Sequence, residues 1–507
     1  MELKFLKLRF VRTAPTLFAC KDNLFLMPGN HYSRFILCFF LLFIAIPSSD
    51  LVAQKVATKV NFLFIIADDM SLNAGIYGEQ AIKTPAIDGL ASDGVVFKKA
   101  FCAASSCSPS RASILSGKHP HELEEGGNLW STFPSKFPNY TVRLAKMGYR
   151  IGLNGKGYSP GQVEPGGYKQ NPAGPLFKSF DEFIGKLENE EPFCFWLGSS
   201  DPHRPYVAGL KDATSMDRAR IKMPGWLPSN EIVRSDIADY LAEVKRFDET
   251  IGKAVALLKA KGLYENTLII VTSDNGMPFP RAKATVYDSG SNVPLVMSWG
   301  NNFEKGRSYN ELVSLIDIAP TILDAAGLTP DEAITGRSLL PLLQKNKKDK
   351  RFRQVFLERE RHANVRPDLL GYPVRAIRTS EYLYVENLKP DRWPAGDPDY
   401  TIPPGPFGDI DDGPTKAFLM TNRNNAAYSK WVKASMEKRP ARELYSLRDD
   451  PDQLNNLAEN PENEKAVRVL KKQLDSWRRK TGDPLLGNSE DIFDTYPYYG
   501  RKGKAEQ

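Results

Sequence analysis

Hydrophobic positions along the chain fall into short unbroken runs, separated by longer stretches in which they return every three or four residues. Val60 to Ala67 reads Val-Asn-Phe-Leu-Phe-Ile-Ile-Ala and ends in two acids, and similar runs recur at Pro192 to Leu197, Thr267 to Thr272 and Pro294 to Ser298. A run that is apolar at successive positions, not at alternate ones, predicts a strand covered on both faces. Helical spacing lies between the runs, at Pro85 to Asp93, Thr141 to Met147 and Asp236 to Lys261, with a short helix over residues 110 to 116. Strands alternating with helices predict the α/β class, a sheet sandwiched between helical layers with its ligand site at the carboxyl ends of the strands. From about Asn346 the texture changes. Short strand-like pieces at Val355 to Glu358, Val374 to Thr379 and Tyr382 to Asn387 are followed by a loop rich in Pro, Gly and Asp from Pro390 to Pro414 and a terminal helix around Glu464 to Lys480. The expectation is a first domain over 58 to 345, a smaller C-terminal α+β subdomain over 346 to 485, and a tail over 486 to 507.

At 507 residues the chain is long enough for two packed units. Phe35 to Pro47 is an apolar run preceded by Arg34 and followed by small residues up to Ala53. It is short for a membrane span and reads as the core of a signal peptide within a leader over 1 to 53, which predicts export to the periplasm or beyond. A retained anchor is the competing reading, and Met27 is an alternative start that gives a more ordinary leader. The formal net charge is +7, and residues 1 to 53 carry six basic and three acidic side chains, so the remainder holds about +4. That mild bias suits an anionic substrate and gives no support for a nucleic-acid partner. Of five cysteines, Cys20 and Cys38 fall in the leader, and Cys102, Cys107 and Cys194 form no disulfide framework.

The most informative segment is Ser105-Ser106-Cys107-Ser108-Pro109-Ser110-Arg111, which runs on to Gly117. Pro109 suits the first turn of a helix, where its missing N–H costs nothing, and the positive end of that helix faces an anion. Taken alone, a cysteine such as Cys107 has the common reading of a buried residue before a capped helix, and it is the partners elsewhere in the chain that set this reading aside. Asp68-Asp69 closes the first strand and Ser273-Asp274-Asn275-Gly276 closes a later one. Three carboxylates and an amide at one sheet edge form a hard-oxygen site whose charges need a cation, with Ca2+ the natural occupant and Mg2+ second.

The Cys-x-Pro-x-Arg run and the two acidic strand ends together resemble the type I, formylglycine-dependent sulfatases of the alkaline phosphatase superfamily, from about residue 58 to about 480. The resemblance implies a large mixed sheet between helices and conversion of Cys107 to formylglycine by a formylglycine-generating enzyme. It assigns Asp68, Asp69, Asp274, Asn275 and the converted Cys107 to calcium. Arg111 would steady the hydrated aldehyde, Lys156 and Lys283 would hold sulfate oxygens, and His203 would protonate the leaving group. One position departs: Tyr158 stands two residues after Lys156, where many members have a histidine, leaving the phenol or another base such as His121 to serve. Pro278-Phe279-Pro280 and Gly371-Tyr372-Pro373-Val374-Arg375 resemble the N-sulfoglucosamine sulfohydrolase group. Arg361, His362 and Arg375, with Arg359 and Arg366, are candidate substrate-binding residues, since guanidinium forks suit sulfate and carboxylate. The implied partner is a sulfated oligosaccharide or polysaccharide, with no nucleic acid and no stable membrane span after cleavage. A phosphomonoester or phosphonate monoester hydrolase of the same superfamily, or a non-catalytic glycan-binding protein, are the alternatives.

Overall fold

The computed structural model describes residues 59–345, 350–487 and 491–500; the leader reading lies outside them. Eight strands form the larger sheet: β1 (Asn61–Ala67), β2 (Val95–Phe101), β3 (Arg150–Gly155), β4 (Phe193–Gly198), β5 (Thr267–Ser273), β6 (Asn292–Ser298), β7 (Arg307–Tyr309) and β8 (Val313–Ser314). Their order is β3-β4-β1-β5-β6-β2-β7, with β8 also pairing β2. The sheet is mixed: β1 runs parallel to both β4 and β5, with Ile65 opposite Leu197 and Val271, whereas β6 is antiparallel to β5 and β2.

Every residue of β1 is buried because both of its faces are covered. Phe62, Phe64 and Ile66 pack into one core with Leu115, Leu144 and Ile322, from helices Cys107–Ser116, Tyr140–Lys146 and Ile318–Ala325. Leu63 and Ile65 point the other way, into a core with Leu90 from helix α1 (Pro85–Asp93) and with Ile237, Leu241 and Phe247 from the long helix Glu231–Ala260. The period-two alternation of a strand splits one apolar run between two layers, which accounts for the sandwich expected from the sequence.

Four strands of this sheet had no unbroken apolar run to announce them: the short β7 and β8, and β2 and β3. In β2, Lys98 and Lys99 interrupt the apolar run, and the register against β6 shifts there in a bulge. In β3 the sequence Arg-Ile-Gly-Leu-Asn-Gly is poor in strand formers, yet Gly152 is required: a Cβ there would stand 2.6 Å from the Phe183 ring.

The second sheet is antiparallel, in the order β12-β11-β10-β9, from β9 (Gln354–Arg359), β10 (Val374–Thr379), β11 (Tyr382–Asn387) and β12 (Arg442–Ser446). One face carries Ile377, Tyr384 and Leu444 against Val467, Leu470, Leu474 and Trp477 of helix Glu464–Lys480. The other sets Leu357, Ala376 and Val385 against Phe101, Tyr287 and Leu312 from the larger-sheet region. Among the described residues no helix is long and apolar enough to cross a membrane.

Candidate functional site

The carboxyl ends of β1, β3, β4 and β5 open on one edge of the larger sheet, and each delivers polar residues there. Asp68 and Asp69 follow β1, Lys156 follows β3, His203 lies in the turn after β4, and Asp274 and Asn275 follow β5. Asp69 adopts a left-handed backbone, φ 71°, and its N–H donates to Asp274 Oδ1 at 3.1 Å while Met70 N–H donates to Ser273 Oγ at 2.8 Å. The ends of neighbouring strands are thereby tied, and their carboxylates face each other. Asn275 Nδ2 completes the link by donating to Asp69 Oδ1 at 2.6 Å.

Cys107 opens helix α2 (Cys107–Ser116), all ten residues of which are buried. Ser106 at the N-cap makes no capping bond to the helix; its Oγ lies 2.8 Å from His362 Nδ1 instead. The first N–H groups of α2 therefore keep no side-chain partner from the cap, the arrangement that favours an anion at a helix start. One turn in, Arg111 is completely buried. Its Nε donates to Asp274 Oδ2 at 2.8 Å, one Nη reaches Asp68 Oδ1 at 3.5 Å, and the other donates to the carbonyls of Lys156 and Gly157 at 2.7 and 3.1 Å.

Lys156 is fixed through its backbone as well. Its N–H donates to Gly198 O at 2.9 Å, and its carbonyl also accepts Trp196 Nε1–H at 3.0 Å. Gly155 has φ 73°, and a Cβ there would lie 2.0 Å from Gly198 O, so this close approach of β3 and β4 demands glycine. The Lys156 ammonium sits 2.8 and 2.6 Å from the two oxygens of Asp68. Lys283 lies 2.8 Å from Asp69 and 2.9 Å from Asp411. His203 Nε2 is 3.7 Å from Asp69, and its loop is anchored by Arg204, which grips Asp236 at 2.8 Å through both terminal nitrogens.

Burial by itself raises the Asp68 pKa, but Lys156 and Arg111, reinforced by His203 and Lys283, override it and hold this carboxyl well below the usual range. Asp274 goes the other way: burial and the neighbouring Asp68 charge push it up to about 6 against the opposing pull of Arg111. Two carboxylates whose affinities for a proton diverge so far are competing for the same positive charge. Burial pushes the Cys107 thiol up, more than Lys156 and Lys283 pull it down, so the unmodified cysteine is not a ready nucleophile.

The donor set fits a hard divalent cation. Ligand atoms of Asp68, Asp69 and Cys107 lie within 4.8 Å of one another, and Asp69, His203 and Asp411 form a second such group. Asn275 Oδ1 is buried with no hydrogen-bond partner, an orphaned acceptor beside the carboxylates.

A cavity of about 630 Å³ opens over these groups, and its wall includes Cys107, Lys156, His203, Lys283, His362 and Asp411. Sequence reasoning missed Asp411, which sits in a loop of acids and prolines with nothing local to distinguish it. Trp130 and Tyr498 in the outer wall were missed too, whereas Pro403 and Pro404 belong to the segment from Asp391 to Pro414 that the sequence offers as the lining of a sugar subsite. Tyr498 comes from the tail, where Tyr499 N–H donates to Trp130 O at 2.7 Å.

Other candidates stand apart from the cavity wall. Tyr158 is buried against Phe133 and its hydroxyl has no hydrogen-bond partner. Its acidity is suppressed by burial, so it stays a neutral phenol. His121 is engaged 2.6 Å from Glu358 and packs on Trp477. Arg375 is fully buried under the second sheet, paired with Asp483, Glu360 and Glu358. Arg361 donates to the carbonyls of Tyr496 and Pro497 at 2.9 and 3.0 Å, holding the tail in place. Arg359 and Arg366 share Asp409. Of the basic cluster at the start of the second sheet, His362 alone reaches the cavity wall.

The family model for sulfatases matches residues 60–170 and 156–328, more than half of the chain. The chain belongs to the sulfatase family. It is a sulfuric ester hydrolase by that membership, and the C-terminal domain model of N-sulphoglucosamine sulphohydrolase matches residues 281–394. Human N-sulphoglucosamine sulphohydrolase is 28% identical over 483 residues, spanning 86% of this chain and 93% of its own length. An ulvan-active sulfatase of Formosa agariphila is 29% identical over 479 residues, spanning 91% and 89%. Among solved structures, an enzyme in complex with D-glucosamine-2-N,6-O-disulfate superposes with a TM-score of 0.61 at 19% identity, over 85% of this chain and all of that one. A phosphonate monoester hydrolase from Silicibacter pomeroyi has the same TM-score and identity over 84% and 97%. These two structures show that the sulfatase has the alkaline phosphatase-like fold.

Proposed function

We propose that this sulfatase is an exported, calcium-dependent enzyme that removes sulfate from a sulfated carbohydrate, with N-sulfated glucosamine as the first candidate substrate. One observation carries the reading: Cys107 stands at the uncapped start of a buried helix, on the wall of a cavity where Lys156, Lys283 and His203 converge. Formylglycine made from Cys107 would, as its hydrate, supply one hydroxyl to attack sulfur and a second to expel the sulfate. Calcium, held by Asp68, Asp69, Asp274, Asn275 and residue 107, would supply Lewis-acid polarisation of the sulfate oxygens.

The chain's own residues divide the remaining work. Arg111 steadies residue 107 and neutralises the carboxylates behind it. Lys156 and Lys283 now rest on Asp68 and Asp69; with those carboxylates engaged by a cation, Lys156 is released and Lys283 stays held by Asp411, and each can bind sulfate oxygens. His203, at the mouth beside Asp69, delivers a proton to the departing oxygen or nitrogen. His362 keeps Ser106 away from the helix start and bounds the substrate space on the opposite wall. Fixed cations in a site closed to bulk water stabilise charge developing on the sulfate without reorganising, and this is the largest contribution expected.

The test is desulfation of N-sulfoglucosamine, 6-O-sulfated glucosamine and ulvan oligosaccharides by protein co-produced with a formylglycine-generating enzyme. Release from N-sulfoglucosamine alone supports the stated substrate, and release from an O-sulfated sugar alone keeps the mechanism and replaces the substrate. No release despite verified conversion of Cys107 removes the reading in favour of phosphonate monoester hydrolysis or glycan binding without catalysis.

A further inference from the structure

Away from the Cys107 cavity, a groove of about 750 Å³ runs between the helix Ser429–Met436 and the second sheet, lined in part by Arg281, Lys430, Trp431, Lys433, Lys438 and Arg439. We infer that this groove is a second, non-catalytic binding site for a sulfated polysaccharide chain. The inference rests on the carbohydrate substrate proposed above.

Charge is the first argument. Five cationic side chains face two acids, Glu437 and Glu443, and Glu443 is buried and occupied by Tyr287, Tyr445 and Asn387. Lys430, Lys433 and Lys438 are exposed, and none forms an ion pair with a described carboxylate. Three unneutralised ammonium groups in one concave surface raise its affinity for any polyanion.

The floor is the second argument. Arg281 is 3% exposed and donates to the carbonyls of Ala434, at 2.7 Å, and Gln453. Arg439 donates to those of Lys433, at 3.1 Å, and Ala434. Both guanidinium groups are fixed in place by bonds that end on neutral oxygens, and the one acid beside Arg439 is the buried Glu443. Trp431 adds a rigid aromatic ring, its indole N–H anchored on Gly225 O at 3.1 Å and the Lys430 ammonium 4.2 Å from the ring centre. An aromatic face between cations suits alternating sugar rings and sulfates. Arg281 is also two residues from Lys283, so one loop contributes to this groove and to the catalytic cavity.

The experiment uses the full chain carrying Cys107→Ala and measures binding by calorimetry to a heparin octasaccharide, to its desulfated counterpart, and to single-stranded DNA of equal charge. The triple variant Lys430→Ala/Lys433→Ala/Lys438→Ala is expected to weaken octasaccharide binding at least about tenfold, with an unchanged melting temperature. Trp431→Ala should weaken it further while leaving DNA binding unaffected. In the cysteine-bearing, converted enzyme, the same lysine variant should raise KM for the polymer and leave kcat/KM for a sulfated monosaccharide unchanged. Equal octasaccharide affinity with and without the lysines overturns the inference, as does DNA binding as tight as octasaccharide binding. Loss of octasaccharide binding in a protein without desulfating activity upholds the groove and rejects the catalytic reading alone.

Discussion

Each cation in the catalytic cavity answers to a specific carboxylate, and that pairing sets what its removal does. Lys156→Ala frees Asp68 and deletes one of two ammonium groups facing the sulfate position; kcat is expected to fall about 10²- to 10³-fold, the usual cost of one preorganised charge-stabilising donor, with the melting temperature little changed. Steady-state kinetics beside a thermal melt check it. A second residue-scale expectation concerns stability. His119 is buried between His121 and Trp477, and burial pushes its pKa down to about 4 despite Glu122 and Glu358. The unfolded chain, near 6.5, binds a proton first, so this stabilising contribution is complete above pH 6.5 and is lost as pH falls from 6.5 towards 4. The full loss is about 3 kcal/mol. His119→Phe keeps an aromatic ring in the stack and should flatten the dependence of urea midpoints between pH 7 and pH 5; an unaltered slope would show that His119 is not its source.

At the scale of elements, the close passage of β3 and β4 decides where Lys156 stands. A Cβ on Gly198 would lie 1.9 Å from Lys156 O, against backbone that has no way to yield cheaply. Gly198→Ala is expected to impair activity at least as much as Lys156→Ala and to lower stability too, a combination that activity and melting measurements on the purified variant would separate. Helix α2 is the other positioning element. It is fastened to the sheet by Ser110, whose Oγ donates to Asp274 O at 2.6 Å, and by Arg111. The helix that starts at Cys107 is therefore tied directly to the acid cluster.

For the molecule as a whole, the acids at the sheet edge are expected to make stability depend on a cation. Asp68, Asp69, Asp274 and the orphaned Asn275 Oδ1 converge from two strands that are distant in sequence. Chelation should lower the melting temperature, and calcium at 100 times its dissociation constant should return about 2.7 kcal/mol. A melting curve indifferent to both chelator and calcium would remove the metal from the proposal. The end of helix Glu464–Lys480 is held to the second sheet by buried charge as well, with Arg375 on Asp483 at 2.9 and 3.0 Å. Asp483→Asn weakens the bonds to Arg375 and Arg478, which keep Glu360 and Glu386 as counter-charges, at a cost of about 1–3 kcal/mol, measurable as a shift in denaturant midpoint.

The sequence alone determined the parts of this protein that local composition encodes. Unbroken apolar runs marked β1, β4, β5 and the core of β6 because strands covered on both faces have no polar alternate positions, and the acids that end β1 and β5 lay on the same sheet edge as a consequence. Cys107, Arg111 and the strand-end acids were legible because their chemistry is packed into short motifs. The tertiary structure decided what depends on distant segments meeting. It turned Arg361 and Arg375 from candidate ligands into buried structural charges, since only packing reveals the carbonyls and carboxylates that claim them. It enclosed Tyr158 and left His362 on the cavity wall, because burial is set by neighbours and not by residue type. Asp411, Trp130 and Tyr498 came to the cavity from three separate loops, where no periodicity or spacing distinguishes a wall from a surface.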